Sequence, residues 1–146
     1  MPVEVTDRPL DPWQRVQAHQ AAQLAPGRYG ATAVFVGTLR DFNEGDDVRG
    51  MRLEHYPGMT EKHLDAVCRE AAARWDLLDT LIVHRVGDLA PNDPIVLVAV
   101  WSAHRKDAFE ASRWLMEELK SRAPFWKKER LEDGGERWVE KNTAGY

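Results

Sequence analysis

The sequence predicts an α+β fold with a largely antiparallel sheet and about three helices, and three observations carry that prediction. Apolar stretches of strand character follow one another closely, joined by short turns such as Pro91-Asn92-Asp93-Pro94 and Gly134-Gly135, a pattern that pairs sequence neighbours antiparallel. Between some of them lie three segments whose apolar residues recur at helical spacing. The chain of 146 residues suits a single domain over 1–146, long enough to bury a core without staples.

Pro2 to Thr6 reads as a short edge strand, because Val3 and Val5 alternate with polar neighbours. Asp11-Pro12 then supplies an N-cap and a proline at the first helical position, and the helix runs to Leu24, where Pro26-Gly27 ends it. Gly30 to Leu39 is the first long strand; apolar residues on both faces predict a central place in the sheet. Gly37 within it marks a bulge or a close backbone approach. Arg40 stands at its end, and Asp41 to Asp47 reads as a polar loop. Val48 to Tyr56 returns as a strand with Met51, Leu53 and His55 on one face and Arg52, Glu54 and Tyr56 on the other.

Thr60 is the expected N-cap of a second helix, which carries a stripe of Leu64, Val67, Cys68, Ala71, Ala72 and Trp75. Leu81 to Val86 and Ile95 to Trp101 form an antiparallel pair around the Pro91–Pro94 turn. A third helix from about His104 to Arg122 buries Ala108, Ala111, Leu115 and Leu119, and Pro124 stops it. Phe125 to Leu131 is a strand, turned back by Gly134-Gly135 into Trp138-Val139, and a tail over 142–146 is expected to fray.

A net charge of −4 and a pI near 5.7 argue against a general nucleic-acid-binding face. The single cysteine, Cys68, allows no internal disulfide and no multi-cysteine metal site. The N-terminal residues lack the pattern of a signal peptide, and no apolar run is long enough to span a bilayer. Together these predict a cytoplasmic protein with no membrane partner.

Against that acidic background the last third is locally basic. His104 and Arg105 open the third helix, Lys120 lies near its end, and Lys127 and Lys128 follow on the next strand. Helix starts attract anions, so the concentration reads as a pocket for an anionic substrate. Plain structural readings stand beside it: His104 as a cap, Arg105 in water, and Lys120 answering the helix dipole. Adjacent strand residues face opposite sides, so Lys127 shares a face with Phe125 and Glu129, and Lys128 with Trp126 and Arg130. A lysine that is partly desolvated near other cations has a lowered pKa and can act as a base or nucleophile. His55, His84 and His104 lack the spacing of a metal site, so no metal is expected. There is no glycine-rich phosphate loop, no G-x-S-x-G elbow and no Cys–His pair.

Five stretches taken in order go further. Phe35-Val-Gly-Thr-Leu-Arg40, Leu53-Glu-His-Tyr-Pro-Gly-Met-Thr-Glu-Lys62, Ile82-Val-His-Arg-Val-Gly87, Ser102-Ala-His-Arg105 and Leu119-Lys-Ser-Arg-Ala-Pro-Phe-Trp-Lys-Lys-Glu129 resemble the large, catalytic subunit of molybdopterin synthase. The match covers about residues 30 to 140, while 1–28 match only loosely.

The resemblance implies an α/β hammerhead-type fold, a homodimer of large subunits, and one small ubiquitin-like sulfur-carrier subunit on each, giving a heterotetramer. The carrier's C-terminal Gly-Gly thiocarboxylate would thread into the pocket. Cyclic pyranopterin monophosphate would be the substrate of this sulfurtransferase, with no cofactor of its own. Family functional residues fall on Arg40, His104, Arg105, Lys120 and Lys127, all substrate-binding. Lys120 would be central to catalysis, with Lys127 assisting by proton transfer or by holding the substrate, and Glu129 would orient Lys127. Phe125 or Trp126 would line the channel for the tail. A non-enzymatic module that docks an anion or a protein tail is the rival of a different class. A small hydrolase using His104 as base is a third reading.

Overall fold

The computed structural model describes residues 2–43 and 46–139, without the side chain of Asp46; the tail expected to fray over 142–146 lies outside the described residues. In chain order the elements are β1 (Val3–Thr6), α1 (Pro12–Gln23), β2 (Ala31–Thr38), β3 (Phe42–Asn43), β4 (Asp46–His55), α2 (Met59–Arg74), β5 (Leu77–Arg85), β6 (Gly87–Leu89), β7 (Pro94–Ser102), α3 (Arg105–Arg122), β8 (Phe125–Leu131) and β9 (Glu136–Trp138). The expected single sheet is two. One has the order β1-β5-β7-β2, parallel only between β1 and β5; the other runs β3-β4-β8-β9, with β6 also paired to β4.

Alternation along β7 organises the core. Val96, Val98 and Val100 face α2 and α3, joining Leu64, Val67, Ala111, Leu115 and Leu119. Leu97, Ala99 and Trp101 face the other way, towards α1, with Leu10, Leu24 and Val83. A strand buried on both faces needs apolar residues at every position, which is why this stretch is the most apolar of the chain. Removing one well-packed side chain here, as in Leu115→Ala, would cost about 2–5 kcal/mol.

The second sheet has a smaller core of Met51, Leu53, Val86 and Leu89, partly covered by Phe125 and Ile95. No helix among the described residues is long and apolar enough to cross a membrane.

Three local expectations are corrected. β2 is an edge strand, since it pairs only with β7 among the described residues. Its apolar residues on one face, Val34 and Val36, pack on the α1 side, while Phe35 on the other remains 40% exposed. The segment 41–47 is not all loop: Phe42–Asn43 and the start of β4 pair as a hairpin. Gly58, not Thr60, caps α2; its φ of +82° suits glycine, and its N–H donates to Glu61 Oε2 at 3.0 Å. Thr60 is buried in the first turn, where its hydroxyl accepts from Tyr56 N–H and donates to the Pro124 carbonyl. That bond ties the start of α2 to the residue just before β8.

Candidate active site

A cleft of about 860 Å³ opens between β2, α3 from Phe109 to Lys120, and the inner face of β8. Each element delivers its cation for a local reason. Arg40 comes two residues after β2, past the buried Leu39 and the register shift at Gly37/Thr38, where an added Cβ on Gly37 would meet Val96 Cγ1 at 2.8 Å. Lys120 sits in the final turn of α3, one position past the buried Leu119. Lys127 faces inward because β8 is antiparallel to β4 and alternates Phe125, Lys127 and Glu129 onto one side. All three cations line the cleft, above an apolar floor that includes Val34, Ile95, Val96 and Met116.

Electrostatics distinguish Lys127. Burial first, and then the charge of Lys120, bring its pKa down from the ordinary lysine value to about 8, with Glu129 acting the other way. The Arg40 guanidinium lies 5.0 Å from the centre of the Phe42 ring, a cation–π contact at the rim.

Glu129 shares the inward face of β8 with Lys127 and acts on it through its charge. Its carboxylate, in a residue 2% exposed, accepts from Asn43 Nδ2 at 3.1–3.2 Å and Arg137 Nε at 3.0 Å. Arg137 also donates to the Asn43 carbonyl at 2.7 Å. This cluster fastens the β3 hairpin to β8 and β9 beside the cleft. Lys128, on the outer face, pairs with Glu136 at 2.9 Å and lies near the Trp138 ring. Phe125 lines the cleft, but Trp126 does not and is 47% exposed.

His104 and Arg105 lie elsewhere. They stand at the opposite end of α3 from Lys120, roughly 22 Å away at the helical rise per residue. Arg105 lines a smaller hollow of about 270 Å³ with Ala31, Ala108 and Phe109. Thr32, Ala33 and Phe109 border both hollows, so the two lie end to end along the seam between α3 and β2. Within one chain, then, three of the five expected residues meet and two do not.

The cleft wall also contains His84, which the sequence reading weighed only as a metal ligand. The signal was there: an ionisable side chain inside the apolar run of β5. Its ring stacks on Phe125, with centroids 3.9 Å apart and planes 17° from parallel. Among the described residues no group of three or more His, Cys, Asp or Glu could hold a metal ion. Cys68 is fully buried, and burial pushes its thiol up to about 11, which keeps it protonated and unreactive.

Comparison with known proteins gives a consistent set of matches. The family model described as "MoaE protein" matches residues 5–122. A molybdopterin synthase catalytic subunit from Ralstonia nicotianae is 55% identical over 123 residues, covering 83% of this chain and 69% of that protein. One from Pseudomonas aeruginosa is 50% identical over 140 residues, covering 96% of this chain and 91% of that one. The solved structure of a molybdopterin biosynthesis MoaE protein from Burkholderia ambifaria matches with a TM-score of 0.79 at 47% identity, over 94% of this chain and 88% of the other.

Proposed function

The chain belongs to the MoaE protein family, and from that premise we propose that it works as the large, catalytic subunit of a molybdopterin synthase. In this reading it is a sulfurtransferase. It moves sulfur from the C-terminal Gly-Gly thiocarboxylate of a small ubiquitin-like carrier to cyclic pyranopterin monophosphate, forming the dithiolene of molybdopterin. One observation carries the reading: an acidic protein whose only thiol is buried gathers Arg40, Lys120 and Lys127 into one cleft. A thiocarboxylate and a phosphate are both anions, and holding them together needs a local excess of cations. The sulfur has to arrive on a partner, because Cys68 cannot present a thiolate.

Arg40 is suited to grip the phosphate, since guanidinium can bond two oxygens at once. Lys120 offsets the negative charge of the thiocarboxylate and of the tetrahedral oxyanion formed when water attacks the carrier's thioester carbonyl, leaving sulfur on the pterin and a carboxylate on the carrier. Lys127, with a pKa near 8, is placed to take up a proton close to neutral pH. Phe125 offers a flat aromatic surface beside which a Gly-Gly tail can pass.

His104 and Arg105 enter through a second copy of the chain. The α3 span keeps them out of their own cleft, while the free edge of β2 and the exposed Phe35 border the seam that joins the two hollows. A homodimer that pairs these edges supplies His104 and Arg105 of one subunit to the cleft of the other, and with two carriers makes a heterotetramer. The whole chain, 1–146, acts as one domain in this scheme. A lone cysteine with no possible internal disulfide suits a reducing cytoplasm.

Single-turnover conversion of the pterin precursor by thiocarboxylated carrier tests the proposal. Lys120→Ala should slow product formation by about a hundredfold or more, the scale on which one charge-stabilising group acts. A rate within a few-fold of the unmodified protein would remove Lys120 from its central role. Carrier binding without any conversion by the unmodified protein would favour a docking module instead.

A further inference from the structure

Arg40, Lys120 and Lys127 give the cleft hydrogen-bond donors, and Glu129, its carboxylate on the same wall, is already engaged by Asn43 and Arg137. His84 adds a neutral acceptor from β5, on a different wall from the Glu117 carboxylate of α3. Its Nδ1 lies 2.7 Å from the Arg85 carbonyl oxygen. A carbonyl can only accept, so the proton sits on Nδ1, and the distal Nε2 keeps its lone pair.

The ring is held from three sides. β5 places it opposite Val96 on β7, Phe125 stacks on its face, and the Arg85 carbonyl fixes its tilt. Burial, joined by the charges of Lys127, Lys120 and His55, lowers its pKa to about 3. The imidazole therefore stays neutral near neutral pH. His84 is a titratable residue only 4% exposed, in a setting where a buried polar atom is costly unless it finds a partner.

We propose that His84 is a specificity-determining residue of the cleft, whose Nε2 accepts a hydrogen bond from a ring N–H of the heterocyclic substrate while the cations hold its anionic group. The inference rests on the pterin reading of the same cleft. It adds which edge of the substrate is recognised, and predicts that an anion without a donor hydrogen on its ring leaves His84 unengaged.

Two measurements test it. The first is binding of the cyclic pyranopterin precursor by calorimetry, without turnover. His84→Phe, which keeps an aromatic ring against Phe125 but has no acceptor, should weaken precursor binding by about tenfold while carrier affinity stays within about twofold. His84→Gln, whose side-chain oxygen can accept, should recover part of the loss. The second uses the unmodified protein with 15N-labelled histidine: the His84 Nε2 resonance should move upfield with precursor and stay in place with sulfate, which has no hydrogen to give. This second measurement decides the matter should His84→Phe fail to fold. Precursor binding unchanged in His84→Phe, a joint loss of precursor and carrier affinity, or an Nε2 signal that ignores the precursor or follows sulfate equally, would each overturn the inference alone. Unmodified protein that does not bind the precursor would sink both the inference and the functional reading beneath it.

Discussion

Lys127 shows how one residue's setting becomes chemistry. Because burial and Lys120 bring it to about 8, the uncharged amine gains population as pH rises through that value. Used as a base, it should give a rate that climbs with pH and levels off above about 8. Lys127→Arg stays charged, so the limb should vanish and the rate fall by about 10²–10⁴-fold in a pH–rate profile. Stability follows the same sign. Between about 8 and the ordinary 10.5 the unfolded lysine holds more protons than the folded one, so this residue's contribution to stability improves with rising pH across that window and is at its worst below it. Strand alternation was enough to separate Lys127 from Lys128. It could not find the partners of Glu129, because Asn43 and Arg137 come from other strands and meet it only after folding.

At the scale of elements, periodicity marks out α2, α3 and the β5–β7 pair, since each burial face repeats within a local window, while α1 is marked by its Asp11-Pro12 start and Pro26-Gly27 stop. Strand order is another matter. β2 carries apolar residues on both faces like a central strand, yet sits at an edge: its faces are used by the α1-side core and the cleft, and which faces are apolar does not say whether both edges pair. The short β3 and β6 strands also escaped notice: two or three residues carry no period, and both exist through pairing with β4. Gly37 was legible as a special position and proves to be both bulge and close approach. Gly37→Ala forces its Cβ against Val96, so it should lower unfolding stability by about 1–3 kcal/mol in a denaturant titration. Since Gly37 also lines the cleft, substrate affinity should fall with it; an unchanged unfolding midpoint would count against the tight contact.

For the whole molecule, residue chemistry singled out five basic side chains, but that Arg40, Lys120 and Lys127 line one hollow while Arg105 lines another was not in the sequence, because a helix's length says nothing about what meets its far end. The shared-cleft scheme makes a mixing prediction. Arg105→Ala and Lys120→Ala proteins, each impaired alone, should regain activity when co-expressed, since a mixed dimer contains one cleft with both residues intact. A mixture no more active than its parents would mean that each chain completes its own site. The 18-residue span of α3 then acquires a further meaning. It meters the distance between what a subunit keeps and what it lends. Inserting one residue midway would swing one end by about 100° relative to the other, so a change harmless to either half alone would put the two subunits out of phase.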